Sequence, residues 1–414
     1  MTKKLVHCRI CKGKRLFTFL NLGTIPLPNG FLKLEDLKKK ENKYPLNTAY
    51  CMDCGLVQLA ETVNPEAMFK NYVYIPSSSK TRMSNFADIA FTIRNRFHIS
   101  TESLVIDIGS NDGSLLSYFR GYGIKTLGID PATNLAKIAQ LKGIETINDY
   151  ISQKLAKKIR SAKGTAKIIT ATNVVAHIQD LHDLFNSIKI LLSDNGAFIC
   201  EFPYLMDLIE KNQFDTIYHE HLSYFSVKPL LNLLSQVNLH LIDIERTSID
   251  GGSLRVYIGK KENQNNNTIN DKIKDMIAAE EKFGLGNLSV LNLFAKRIKR
   301  LRRELKMTLQ KLKNNGKTIA AYGAAAKGNI LLNYCSINNT LIDFAVDSTP
   351  YKQGLYTPGS HIRIYPEVEI SKRKPDYILL LAWNFAKEIM DKEKNYITQG
   401  GKFIIPVPSV SIVP

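Results

Sequence analysis

The chain has 414 residues, enough for two or three domains with cores of their own, and its 44% hydrophobic and 23% charged residues exclude a fibrous or wholly disordered chain. A formal net charge of +18 suggests an anionic partner, yet the lysines are scattered rather than interleaved with aromatics in one patch, so no nucleic-acid partner is expected. The chain opens Met1-Thr-Lys-Lys-Leu-Val-His-Cys8 and has no apolar run long enough to export or anchor it, which leads to the expectation of a cytoplasmic protein with no membrane partner.

Four of the six cysteines form two C-x-x-C pairs, Cys8/Cys11 and Cys51/Cys54. Each pair sits on a turn closed by a glycine, Gly13 or Gly55, so four thiolates can converge on one ion. This reads as a structural zinc site, since all four positions are closed by protein. Cys200 and Cys335 lie in apolar runs and read as inert core thiols. Residues 1–62 are expected to form the zinc-binding module and residues 63–100 a helical connector. Tyr72 and Tyr74, two apart in a strand-like stretch, point the same way, either as a packed strand face or toward a substrate.

Residues 101–258 read as an α/β domain. Strand-like runs recur at 104–108, 126–130, 167–171 and 196–201 with helical patterns between them, which implies a parallel, doubly wound sheet. The first run breaks at Gly109-Ser-Asn-Asp-Gly113 and resumes with helical spacing, a nucleotide-binding turn. Asn111 stands where a dinucleotide fingerprint has its second glycine, and no phosphate-binding lysine is near. The turn therefore suits a nucleoside such as S-adenosylmethionine better than a pyrophosphate. Asp130 ends the second run about twenty residues on, where such folds hydrogen-bond a ribose. Asn173 and Glu201 end later strands. His177 lies just beyond, either as a neutral base or as a satisfied histidine on an apolar helix.

The densest polar cluster is Phe214-Asp-Thr-Ile-Tyr-His-Glu-His221. On an extended segment Tyr218 and Glu220 would face one side and His219 and His221 the other, so these side chains converge only if the chain turns. A metal site on His219, Glu220 and His221 is the alternative, although adjacent positions chelate poorly. Residues 259–312 read as a linker whose basic helix carries Ile298, Leu301, Leu305 and Leu309 at helical spacing. Residues 313–414 form a second α/β unit, with Lys317–Tyr322 as strand and Gly323-Ala-Ala-Ala-Lys-Gly328 as turn. Lys327 there suits a phosphate at a helix N-terminus, and Lys352 and Arg363 add charge; the alternative is a packed lobe without ligand.

Together, the two C-x-x-C pairs, Gly109 to Gly113, Phe214 to His221, Gly251-Gly-Ser-Leu-Arg255, Tyr322 to Lys327 and Ala382-Trp-Asn384 resemble the S-adenosylmethionine-dependent C-methyltransferases of nucleotide-linked deoxysugars. The resemblance implies an α/β fold in three parts: a zinc module, a class I (Rossmann-like) methyltransferase domain and a C-terminal Rossmann-like lobe that helps hold the sugar nucleotide. It implies methylation of a carbon, typically C3, beside a 4-keto group. His221 matches the family's base, with Tyr218 and Glu220 as partners and His177 and Tyr72 as further active-site positions. Gly109, Asn111, Asp112, Asp130 and Asn173 would hold S-adenosylmethionine; Lys327, Asn329, Lys352, Arg255 and Trp383 would hold the sugar nucleotide. A monomer is the default, as no sustained heptad pattern appears. The competing readings are a zinc-containing RNA methyltransferase and a non-catalytic sugar-nucleotide-binding protein.

Overall fold

The computed structural model describes residues 2–70, 72–261 and 270–414; residues 262–269, within the expected linker, and Asn71, within the expected connector, lie outside the described residues. Seven strands make the central sheet: β1 Leu104–Ile108, β2 Lys125–Ile129, β3 Thr146–Ile147, β4 Ala166–Thr172, β5 Leu192–Pro203, β6 Leu239–Thr247 and β7 Ser253–Lys260. Their order is β3-β2-β1-β4-β5-β7-β6. Helical crossovers make β1 to β5 parallel, as the alternating pattern demands. The expectation of an all-parallel sheet needs one correction: β7 runs antiparallel to β5 and β6. A short turn joins β6 to β7, and a hairpin can close only antiparallel. The chain moves outward in opposite directions from β1, to β2 and from β4, and this switch point opens a crevice at the carboxyl ends of both strands.

The N-terminal module is an antiparallel sheet of strands Leu16–Pro26, Lys43–Cys51 and Val57–Leu59. Its fourth strand, Ser223–Tyr224, comes from the methyltransferase domain, with Ser223 opposite Gln58 and Tyr224 opposite Val57. The module's apolar residues Ile10 and Leu56 share one core with Phe202 and Phe225. A loop of the module also docks on the C-terminal lobe, where Leu32 and Tyr356 exchange backbone hydrogen bonds of 3.0 and 2.8 Å.

Residues 72–79 are not the strand their pattern suggests. They form an irregular segment with a short 3-10 turn at Pro76–Ser78, because Pro76 removes a ladder donor. Helix Lys80–Arg96 follows, capped by Ser79, whose hydroxyl accepts from the Arg82 N–H. Helix Leu288–Asn314 buries Leu291, Phe294, Ile298, Leu301, Leu305 and Leu309 while Lys299, Arg300 and Arg303 face solvent, the connector its spacing indicates.

The C-terminal lobe carries β8 Ile319–Tyr322, β9 Phe344–Val346, β10 Ile364–Tyr365, β11 Tyr377–Leu380, β12 Lys402–Ile405 and β13 Ser411–Val413. The order is β10-β9-β8-β11-β12-β13, parallel except for β13. No helix of the described residues is long and apolar enough to cross a membrane.

Candidate active site

The turn after β1 brings backbone to the wall of a cavity. Gly109 has φ +69°, and a Cβ there would fall 2.3 Å from Val174 Cγ2. Asn111 also has positive φ, and its N–H donates to Asp130 Oδ2 at 2.7 Å. Asp130 Oδ1 accepts from the Ala132 N–H at 2.8 Å, so this carboxylate clamps the turn from the end of β2. Burial raises the Asp130 carboxyl above its usual range, and at the end of β1 it raises that of Asp107 to about 7, against a 2.7 Å bond from the Thr170 hydroxyl. A cavity of about 990 Å³ spreads from this turn across the connector to the C-terminal lobe.

His221 stands on its wall. The segment does turn: after the 3-10 turn Phe214–Thr216, the His221 N–H donates to the Tyr218 carbonyl at 2.9 Å. The Tyr218 and His221 rings then lie 3.9 Å apart, and His177 stacks 5.0 Å from His221. His221 Nδ1 is 2.8 Å from the Thr216 carbonyl oxygen, which can only accept, so Nδ1 carries the hydrogen and Nε2 keeps its lone pair. Burial, then His177 and Lys327, holds the imidazole well below its usual range, and burial lowers His177 to about 4. Both are neutral at physiological pH.

His219 turns away to the Tyr44 carbonyl at 3.3 Å, so His219, Glu220 and His221 do not assemble a metal site. The four cysteines do. Their sulfurs lie within 4.8 Å of one another, the only such group of three or more ligands among the described residues. Cys8 and Cys54, like Cys11 and Cys51, are 3.5 Å apart, near the roughly 3.8 Å edge of a tetrahedral zinc–thiolate centre.

An ion-pair network beneath the cavity was not foreseen. Arg82 donates to both Asp250 oxygens at 2.6 and 2.5 Å, Asn173 Nδ2 adds a bond of 2.8 Å, and Lys327 Nζ donates to the Asp250 carbonyl at 3.0 Å. Burial opposes ionisation of Asp250, but Arg82 and Lys327 override it and bring the carboxyl down to about 2. Asp250 itself has φ +56°, a signal the Asp-Gly-Gly run could have given. Asn29 was also missed; it crosses from the zinc module to donate to Glu220 at 2.7 Å.

Three family models match in sequence: a zinc binding domain over residues 8–69, a methyltransferase domain over 84–244 and a C-methyltransferase C-terminal domain over 248–408. C-methyltransferase NovU of Streptomyces niveus is 33% identical over 413 residues, covering 100% of this chain and 98% of that protein. The chain belongs to the C-methyltransferase family. This C-methyltransferase depends on S-adenosylmethionine and carries a zinc site in its N-terminal module. Part of the chain overlaps with an S-adenosylmethionine-dependent methyltransferase from Clostridium acetobutylicum ATCC 824 (TM-score 0.36, 12% identity, 43% of this chain and 92% of that one). A similar overlap is found with magnesium protoporphyrin IX methyltransferase from Synechocystis PCC 6803 with bound SAH (TM-score 0.34, 14% identity, 43% and 83%).

The cavity of the C-methyltransferase fits such a cofactor: Ser110 Oγ, Asn173 Oδ1 and His177 Nε2 belong to residues that line it and have no partner among the described residues. Gly109, Asn111, Asp130, Asn173, Tyr72, His177, Tyr218, His221, Lys327 and Lys352 all line it. Five expected site residues do not. Asp112 is buried under Lys142 and Ser114, bracing the turn. Arg255 lies in β7 and pairs with Glu201 at 2.8 Å, because the register of β7 on β5 sets the two residues opposite each other. Asn329 donates to the Pro28 carbonyl, and Trp383 Nε1 donates to Asp215 Oδ2 at 2.6 Å. Glu220 sits behind the wall, accepting from Tyr72 Oη at 2.8 Å and from Asn29, and burial pushes its carboxyl up to about 7.

Proposed function

We propose that this C-methyltransferase alkylates the carbon beside the keto group, typically C3, of a nucleotide-linked 4-keto deoxysugar, with His221 as the base. The observation that carries this reading is the state of His221: neutral, with Nδ1–H fixed to a carbonyl and Nε2 free on the wall of a cavity that also holds the cofactor turn. A ketone acidifies the neighbouring C–H, so a modest base suffices if the enolate is stabilised. S-adenosylmethionine, when bound, supplies an electrophilic methyl group.

In this reading His221 Nε2 takes the proton, and the carbon left with the electron pair forms the new C–C bond as the C–S bond breaks. Tyr218 packs on the base and fixes its ring plane. Glu220, by accepting the hydroxyl hydrogen of Tyr72, fixes that ring in the cavity wall. Asp130 and the Gly109 turn hold the nucleoside side, while Lys352 at Asp347 offers charge for phosphate. Mass spectrometry of reactions with a panel of nucleotide-linked 4-keto and 4-hydroxy sugars, with RNA as a control, tests the reading. A one-methyl gain on keto sugars alone is expected, and methylated RNA or 4-hydroxy sugar would sink it. His221→Asn should lose turnover by about 100-fold or more with cofactor affinity intact. Retained activity would move the base to His177.

A further inference from the structure

We propose that Lys327 is a catalytic residue whose ammonium holds the substrate oxygen on which negative charge gathers as the proton leaves. The inference rests on the enolate reading above. Lys327 lies in the first turn of helix Ala326–Cys335, beside the glycine turn of the C-terminal lobe, where a lysine would be expected to meet a phosphate. Its amine goes elsewhere. It reaches across the interface to the Asp250 carbonyl at 3.0 Å and sits 5.5 Å from the centre of the Trp383 ring. Its charge is felt by Asp215, Asp250 and His221, all on the methyltransferase side. Lys352, by contrast, stays at the second turn, 3.2 Å from Asp347.

The lysine is held rather than quenched. The Asp250 carboxylate is already satisfied by Arg82 and Asn173, so Lys327 meets a neutral carbonyl and keeps two N–H groups for a ligand. Trp383, under the amine, is itself fixed by its bond to Asp215. A preorganised cation lining the cavity that also holds the base is worth most where charge develops. When His221 Nε2 takes the C–H proton, the electron pair moves onto the oxygen, and a Lys327 N–H strengthens its hydrogen bond there. When the carbon gains its methyl, the pair returns, the ketone re-forms and the bond weakens. Lys327 keeps all its protons throughout, so its contribution is specific to the enolate and the transition states around it.

The test is hydrogen–deuterium exchange at the carbon beside the ketone, in D2O without methyl donor, together with calorimetric affinities for the cofactor and for the sugar nucleotide. Lys327→Met is expected to slow exchange by about 100-fold while both affinities stay within about threefold. Exchange at the unaltered rate, or a loss of sugar-nucleotide affinity above about tenfold with normal exchange at saturation, overturns the assignment in favour of phosphate binding. Unchanged cofactor affinity reports that the fold survives; if the Met variant does not fold, Lys327→Gln reads the same way. If the unaltered enzyme exchanges no keto sugar, the enolate reading falls, and this inference with it.

Discussion

The two lobes use one backbone device twice. In the first, Asp130 at the end of β2 accepts from the Asn111 N–H of the preceding glycine turn and from the N–H two residues after itself. In the second, Asp347 after β9 accepts from the Ala324 N–H at 2.7 Å and from the Thr349 N–H, again two residues on, at 2.8 Å. Gly109 and Gly323 both have positive φ at the start of the turn. The surroundings differ. Around the first turn the cavity wall offers Asp107, Asn111 and aromatic side chains, whereas the second has Lys352 on its carboxylate and Lys327 close by. In the function proposed above, each strand–turn–helix unit takes one ligand, and the charge at its rim selects which.

The comparison breaks most severely if the brace shared by both lobes is removed. Cys8→Ser should lose the zinc, measured by metal analysis, and with it most soluble folded enzyme, because the module's sheet includes Ser223–Tyr224, just past His221. A zinc-free variant of full activity would make the brace dispensable. Next come the paired glycines. Gly109→Ala, with φ +69° and a Cβ 2.3 Å from Val174, should weaken cofactor binding by about tenfold or more and spare the sugar nucleotide. Gly323→Ala, with φ +90° and a Cβ 2.8 Å from that of Ala382, should do the reverse. Calorimetry of both variants with both ligands decides whether the turns serve separate ligands; equal losses would merge them.

Lys352→Met should weaken the sugar nucleotide about tenfold in low salt and less in high salt, since it removes one charge from the second rim. An unchanged salt dependence would free Lys352 of any phosphate. The smallest effect concerns Glu220, where the methyltransferase domain meets the zinc module and the connector. Its folded pKa is about 7 against an unfolded value near 4.3, so between these the folded protein binds a proton that the unfolded chain does not. This contribution favours folding below pH 4.3 and is lost as pH rises through about 7. Glu220→Gln should therefore flatten the fall in Tm between pH 5 and 8 by a few degrees. An unaltered Tm profile would place the titration elsewhere.

Residues whose meaning is local were legible in the sequence: the cysteine pairs, the Gly109 turn with Asp130, and the stripe of helix Leu288–Asn314. Those whose meaning depends on distant partners were not. Nothing near Asn29 announces Glu220, and nothing near Arg82 announces Asp250, because each pair meets only through the packing of separate domains. Arg255 misled for the same reason. Its charge in a glycine-rich run invites a ligand, but pairing with β5 sets it beside Glu201, while Asp250 at the turn faces the cavity. Likewise, antiparallel β7 depends on pairing that periodicity does not encode.

The borrowed strand Ser223–Tyr224 has a consequence for biosynthesis. As the chain leaves the ribosome, the module has both cysteine pairs available once Cys54 emerges, but the edge at Val57–Leu59 waits for a partner until Tyr224 has been made. An open edge is a template for pairing with a neighbouring nascent chain, and its brevity, three residues, limits that hazard. Zinc supply during expression should therefore govern soluble yield more than refolding conditions applied afterwards, because the metal holds the edge in shape while the rest of the enzyme is still to come.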